Sequence, residues 1–206
     1  MSDPFTIRIH LPSGDPEDIR IVDRPGWTGI GVAFPRASWP EVRSRDELGW
    51  AGVYILMGYG EDTADELPTI YIGKGTREVR SRIDGHSKNK EFWDKGVIFS
   101  SLSNELNAAH VDWLEYALVN LASKAGQSHL DNDVNPRESS LGEADKAYTR
   151  SFLKEILQIL PLLGIRSLRN LRLSQSEMKY DQARASKQCE TQSWCRRMKM
   201  VLRKYS

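Results

Sequence analysis

Two short apolar runs constrain this chain most: Gly52-Val53-Tyr54-Ile55-Leu56-Met57 and Thr69-Ile70-Tyr71-Ile72-Gly73. Each reads as a β-strand, and the polar stretch from Gly58 to Pro68 joins them. Helical spacing follows from Arg77 to His86, where Val79, Arg82, Ile83 and His86 fall three or four residues apart on one face. Val97 to Leu102 reads as a further strand. Asn107 to Lys124 is an amphipathic helix whose stripe is Val111, Leu114, Leu118, Leu121 and Ala122. A turn-rich stretch around Asp131-Asn132-Asp133 precedes another helix, Gly142 to Leu160, with the stripe Tyr148, Phe152, Ile156, Ile159 and Leu160.

The first fifty residues read as short strands. Phe5, Ile7, Ile9 and Leu11 alternate with polar neighbours, Ile19 to Val22 is the return strand, and Ile30 to Phe34 a third. Ser38 is placed to cap a short helix through Trp39 and Pro40 that ends near Gly49. The near-zero net charge of +1 hides an asymmetry: residues 1–164 carry −7, and residues 165–206 carry +8. A basic terminal segment suits a polyanionic partner, although solvated basic tails are common. Partial helical patterning in the tail, around Met178 and from Met198 to Leu202, would alternatively mark a helix packing on the domain or on a second copy as a homodimer.

No run reaches the roughly 18 apolar residues of a membrane span. The longest candidate, Ile156 to Ile165, contains Pro161 and Gly164. The start, Met1-Ser2-Asp3-Pro4, lacks a secretory layout, and Cys189 and Cys195 are the only cysteines, so no membrane association and a cytoplasmic location are expected. His10, His110 and His129 show no zinc spacing and read as surface or packing residues.

Three features carry chemistry. Tyr54 and Tyr71 occupy corresponding places on the two apolar strands, beside Gly52 and Gly73, where a missing side chain lets a ligand or another backbone approach. Gly73-Lys74-Gly75-Thr76 turns from strand toward helix and leads to Arg77, Arg80, Arg82 and His86, a setting suited to an anion. It lacks the Gly-x-x-x-x-Gly-Lys pattern, which argues against nucleotide hydrolysis of the Walker kind. Glu115 lies four residues after Val111 and three before Leu118, at the edge of the apolar stripe. A carboxylate there is costly unless it pairs with a cation, such as a nearby arginine or a magnesium ion.

Gly52-Val53-Tyr54, then Tyr71-Ile72-Gly73, then Arg82 and His86, then Glu115 in this order resembles the GIY-YIG nuclease family over about Ala51 to Pro136. The separation of the two signature strands exceeds the family's usual one, and the acidic insert Glu61 to Glu66 accounts for it. The resemblance implies a mixed α/β (α+β) fold: a small central antiparallel sheet of about three strands flanked by helices. To this the chain adds an N-terminal β-rich extension over 1–50 and a nuclease-like domain with a packing helix over 51–164. The basic tail, 165–206, is expected to be partly helical.

The resemblance also implies the site. Glu115 would hold a single Mg²⁺ or Mn²⁺ that polarises the phosphate and assists the 3′ leaving oxygen. Arg82 would contact the scissile phosphate, and Tyr71 would bind phosphate or orient water. Tyr54 is the implied water-activating group, with His86 accepting its proton, or else His86 is the primary base. A tyrosine base needs a depressed pKa, and Lys74 is placed in sequence to supply the cation. The family's later asparagine corresponds to Asn132, with Asn135 as competitor. The function implied is metal-dependent cleavage of DNA, of unspecified form and sequence, and phosphate chemistry alone does not distinguish RNA. The rival is a DNA-binding or regulatory protein that keeps the fold and cleaves poorly.

Overall fold

The computed structural model describes residues 4–59 and 67–168. Seven strands form one mixed sheet: β1 (Arg8–His10), β2 (Arg20–Asp23), β3 (Gly29–Pro35), β4 (Gly52–Gly58), β5 (Thr69–Gly75), β6 (Lys95–Ser101) and β7 (His129–Leu130). Their order is β1-β2-β3-β6-β4-β5-β7, antiparallel throughout except for the short β5–β7 pair. Among the described residues four helices accompany them: α1 (Trp39–Val42), α2 (Arg80–Asn89), α3 (Ala108–Ala125) and α4 (Glu143–Ile159). The mixed class agrees with expectation.

The sheet is larger than the expected three strands. β3 pairs with β6 along its whole length, from Gly29 opposite Ser101 to Pro35 opposite Lys95. The three N-terminal strands therefore continue the sheet that holds the signature hairpin. Without them the edge of β6, an almost fully buried strand, would present unpaired backbone groups.

The apolar runs are nearly continuous because β4 is covered on both faces. Val53, Ile55 and Met57 pack with Ile70 and Ile72 against Val111, Leu114 and Leu118 of α3 and Phe152 and Ile156 of α4. Tyr54 and Leu56 point the other way, into a second cluster with Trp39 and Val42 of α1 and Val79 and Ile83 at α2.

α3 starts where the sequence places it. The Asn107 side chain accepts from the His110 amide at 3.0 Å, and His110 Nδ1 accepts from the Asn107 amide at 3.4 Å, closing a capping box. His110 is thereby a buried packing residue, whereas His10 and His129 are exposed. Gly126, at φ 59°, ends the helix in the left-handed conformation glycine favours. Leu121 is only partly buried, and Trp113 and Val119 take places in the core that the stripe did not include.

Ser38 does not cap α1. Its hydroxyl donates instead to Asp18 at 2.6 Å, and the helix is a single turn followed by a tight turn at Asp46–Gly49. At the other end, Ile165 and Leu168 are buried in the core, so the first residues of the basic segment close the domain. The helical patterning at Met178 and Met198, Cys189 and Cys195, and the insert at Glu61 to Glu66 lie outside the described residues.

Candidate active site

Tyr54 and Gly73 are direct partners across the β4–β5 hairpin. A Cβ on Gly73 would lie 2.4 Å from the Tyr54 hydroxyl oxygen and 2.5 Å from Cζ, so the absent side chain is what lets the Tyr54 ring lie across β5. At Gly52 the close neighbour is backbone, since a Cβ would meet the Phe99 carbonyl oxygen at 2.4 Å. Both glycines admit parts of this chain.

Tyr71 projects from the same face as Tyr54, their ring centroids 6.1 Å apart. α2 is pinned beneath them by Val79 and Ile83, and one turn beyond Ile83 the His86 ring comes 4.5 Å from the Tyr71 ring. His86 Nε2 is 2.9 Å from the Tyr54 hydroxyl. Tyr54 is fully enclosed, and His86 and Tyr71 are half-buried.

Burial sets the acid–base character of this pair. It drives the Tyr54 phenol well above the ordinary tyrosine value, with Tyr71 and Glu115 adding to the rise and Arg82 opposing it. Burial also holds the His86 imidazole below the ordinary histidine value, helped by Lys90 and Arg82 and opposed by Asp131. At neutral pH the contact is therefore between a protonated phenol and an uncharged imidazole. Burial therefore opposes the depression that a tyrosine base requires, and the cation acting against that rise is Arg82 rather than Lys74.

Lys74 faces the other side of the sheet, two residues beyond Ile72, toward α3. Its ammonium is 2.7 Å from Glu115 Oε2 and 3.0 Å from Asp112 Oδ1. Burial alone would lower its pKa, but the two carboxylates outweigh that and raise it. The Gly-Lys-Gly segment is the end of β5 and not a helix start, because α2 begins only at Arg80. Glu115, with its side chain 14% exposed, thus has a lysine partner where an arginine was anticipated.

The arginines near the start of α2 divide by role. Arg80 donates to the Arg45 carbonyl at 3.0 Å and holds the tight turn in place. Arg82 is exposed and its guanidinium has no hydrogen-bond or ion-pair partner among the described residues, while its field reaches both Tyr54 and His86. Asn132 is committed to the backbone: it accepts from the Ile72 amide at 3.1 Å and donates to the Ile72 carbonyl at 2.7 Å. It extends the β5–β7 pairing by side chain and fixes β5 between Tyr71 and Gly73. Asn135 is exposed.

Sequence reasoning missed Asp112, Lys90 and Asp131. Asp112 had a legible signal, one helical turn before Glu115 on the same face. Lys90 lies just past α2, stacks 4.6 Å over the Tyr71 ring and pairs with Asp131, and nothing in the local pattern announces either contact.

The donor chemistry at Glu115 suits a hard divalent cation. Glu115 and Asp112 already converge on one positive group, and Mg²⁺ characteristically takes one or two carboxylates and completes its shell with water and phosphate. Among the described residues no cluster of three or more metal-ligating side chains occurs, so a site of this type would rely on substrate and water. Among them, too, no helix is long and apolar enough to cross a membrane. Comparisons of the chain with protein-family models, curated proteins and solved structures find no match.

Proposed function

We propose that this protein is a metal-dependent endonuclease hydrolysing phosphodiester bonds in DNA through a GIY-YIG-type site. The observation that carries the reading is the unpaired Arg82 guanidinium at the rim of the Tyr54–Tyr71–His86 cluster. An exposed, permanently charged fork beside an uncharged imidazole is suited to a phosphate and its attacking water.

His86 is the base in this scheme. Its pKa is held down, so it is unprotonated at neutral pH, and it is reachable from solvent, whereas Tyr54 is enclosed and its phenol is held protonated. With Nε2 protonated and donating to the Tyr54 oxygen, Nδ1 is left to take the proton of the attacking water. Tyr54 is then the positioning residue that fixes the ring. Arg82 steadies the phosphate oxygens, and Tyr71, held against His86 and Lys90, confines the water. Glu115, with Asp112 beside it, would hold Mg²⁺ or Mn²⁺, which would supply Lewis-acid stabilisation of the phosphate and of the 3′ leaving oxygen.

The test is cleavage of plasmid, single-stranded and branched DNA, and of RNA, with Mg²⁺, Mn²⁺ or chelator. Metal-stimulated cutting of DNA that Glu115→Ala abolishes, with binding and thermal stability retained, is the expected result. Binding without cleavage of any substrate would instead establish the DNA-binding or regulatory alternative.

A further inference from the structure

Among the described residues, Lys74 is the cation seated between the carboxylates that the nuclease reading assigns to a metal. We infer that Lys74 is an internal counter-ion, displaced from Glu115 and Asp112 when a divalent cation binds. This inference rests on the metal assignment of the proposed function.

The geometry makes the two cations competitors. Asp112 and Glu115 lie one turn apart on α3, and the Lys74 ammonium touches both. A magnesium ion sits about 2.1 Å from a carboxylate oxygen. One bound to Glu115 Oε2 would therefore lie no more than about 5 Å from an ammonium still hydrogen-bonded to that oxygen at 2.7 Å. Their repulsion is twice that between two monovalent groups at the same separation. Charge count points the same way: two carboxylates balance one divalent ion, and a retained ammonium would leave an excess of one.

The arrangement has a use in each state. Without metal, Lys74 satisfies a mostly enclosed carboxylate and reduces the charge that would repel a polyanion. With metal, the freed ammonium would stand at the end of β5, on the face toward α3. Asp112 is a positioning residue for Lys74 in the first state and a second source of negative charge for the ion in the other.

The experiment measures Mn²⁺ binding by electron paramagnetic resonance in the full chain, the Lys74→Met variant and the Lys74→Gln variant, with melting curves on all three. Removing a competing, partly exposed ion pair should tighten Mn²⁺ binding by up to about fivefold in whichever variant remains folded. In the unmodified chain, the Lys74 ammonium signal in ¹H–¹⁵N spectra should shift and lose its exchange protection when Mg²⁺ is added. Unchanged or weaker Mn²⁺ binding by a folded variant, or a Lys74 signal unaltered at saturating Mg²⁺, would overturn the inference. If metal still binds and stimulates cleavage, the nuclease reading stands without it. If none of the proteins binds either ion, the metal assignment falls as well.

Discussion

The Tyr54–His86 contact places opposite demands on its two groups, and pH should reveal them. Because the His86 value is depressed, kcat/KM for DNA cleavage should rise with pH through an apparent pKa below the ordinary histidine value of 6.5. That limb should vanish in His86→Ala, and a rising limb near the tyrosine range would return the base role to Tyr54. Folding has the matching sign. An unfolded chain binds the His86 proton more readily than the folded one, so stability is complete above pH 6.5 and is lost as pH falls below it toward the depressed folded value. Melting curves across that interval, compared with His86→Ala, isolate the contribution. Gly73 is the second residue with a specific consequence. In Gly73→Ala the new methyl group lands on the Tyr54 ring, so urea denaturation should show a loss of about 1–3 kcal/mol, accompanied by loss of cleavage. Wild-type stability in that variant would show that the ring moves aside freely.

Strand β5 bears both Tyr71 and Lys74, one on each face, and among the described residues its outer edge is held by very little. β7 covers only Thr69 and Ile70, and beyond them Asn132 supplies the pairing at Ile72 through its side chain. Asn132→Ala should cost about 1–3 kcal/mol by leaving two backbone groups of an otherwise buried residue unpaired. Cleavage at saturating metal should fall less than in His86→Ala. A loss of cleavage as large as that of His86→Ala, without loss of stability, would make Asn132 a participant in chemistry. The strands and α3 were legible because each signals locally: a period of two, an apolar run, or a cap followed by a stripe. Ser38 misled because the capping preference of a serine does not reveal that Asp18, twenty residues earlier in sequence, will accept its hydroxyl.

At the scale of the molecule, the position of Leu168 decides where the basic segment can be cut. Truncation after Gly164 would remove Ile165 and Leu168 from the core, so a cut after Arg169 is the one that separates charge from folding. Residues 170–206 carry nine lysines and arginines against three acidic residues. If three of these engage phosphates, the truncated protein should show a slope of log affinity against log salt smaller by about 2.7, since each neutralised phosphate contributes about 0.9 on duplex DNA. Its cleavage at saturating protein should persist. An unchanged slope with altered mass in light scattering would assign the segment to association between copies.

The amino-acid sequence by itself determined most of the elements, the mixed class and the ordered set of residues from Tyr54 to Glu115, because periodicity, capping and motif spacing are properties of neighbouring residues. Only the tertiary structure decided which strands lie side by side. The pairing of β3 with β6 joins segments some seventy residues apart, and nothing local encodes a strand's partner. The same holds for electrostatics. A tyrosine and a histidine have ordinary values in any sequence, and it is enclosure between sheet and helix that moves them apart. Lys74 appeared in sequence beside the tyrosines, but the alternation of β5 turned it to the opposite face, where α3 had placed two carboxylates to receive it.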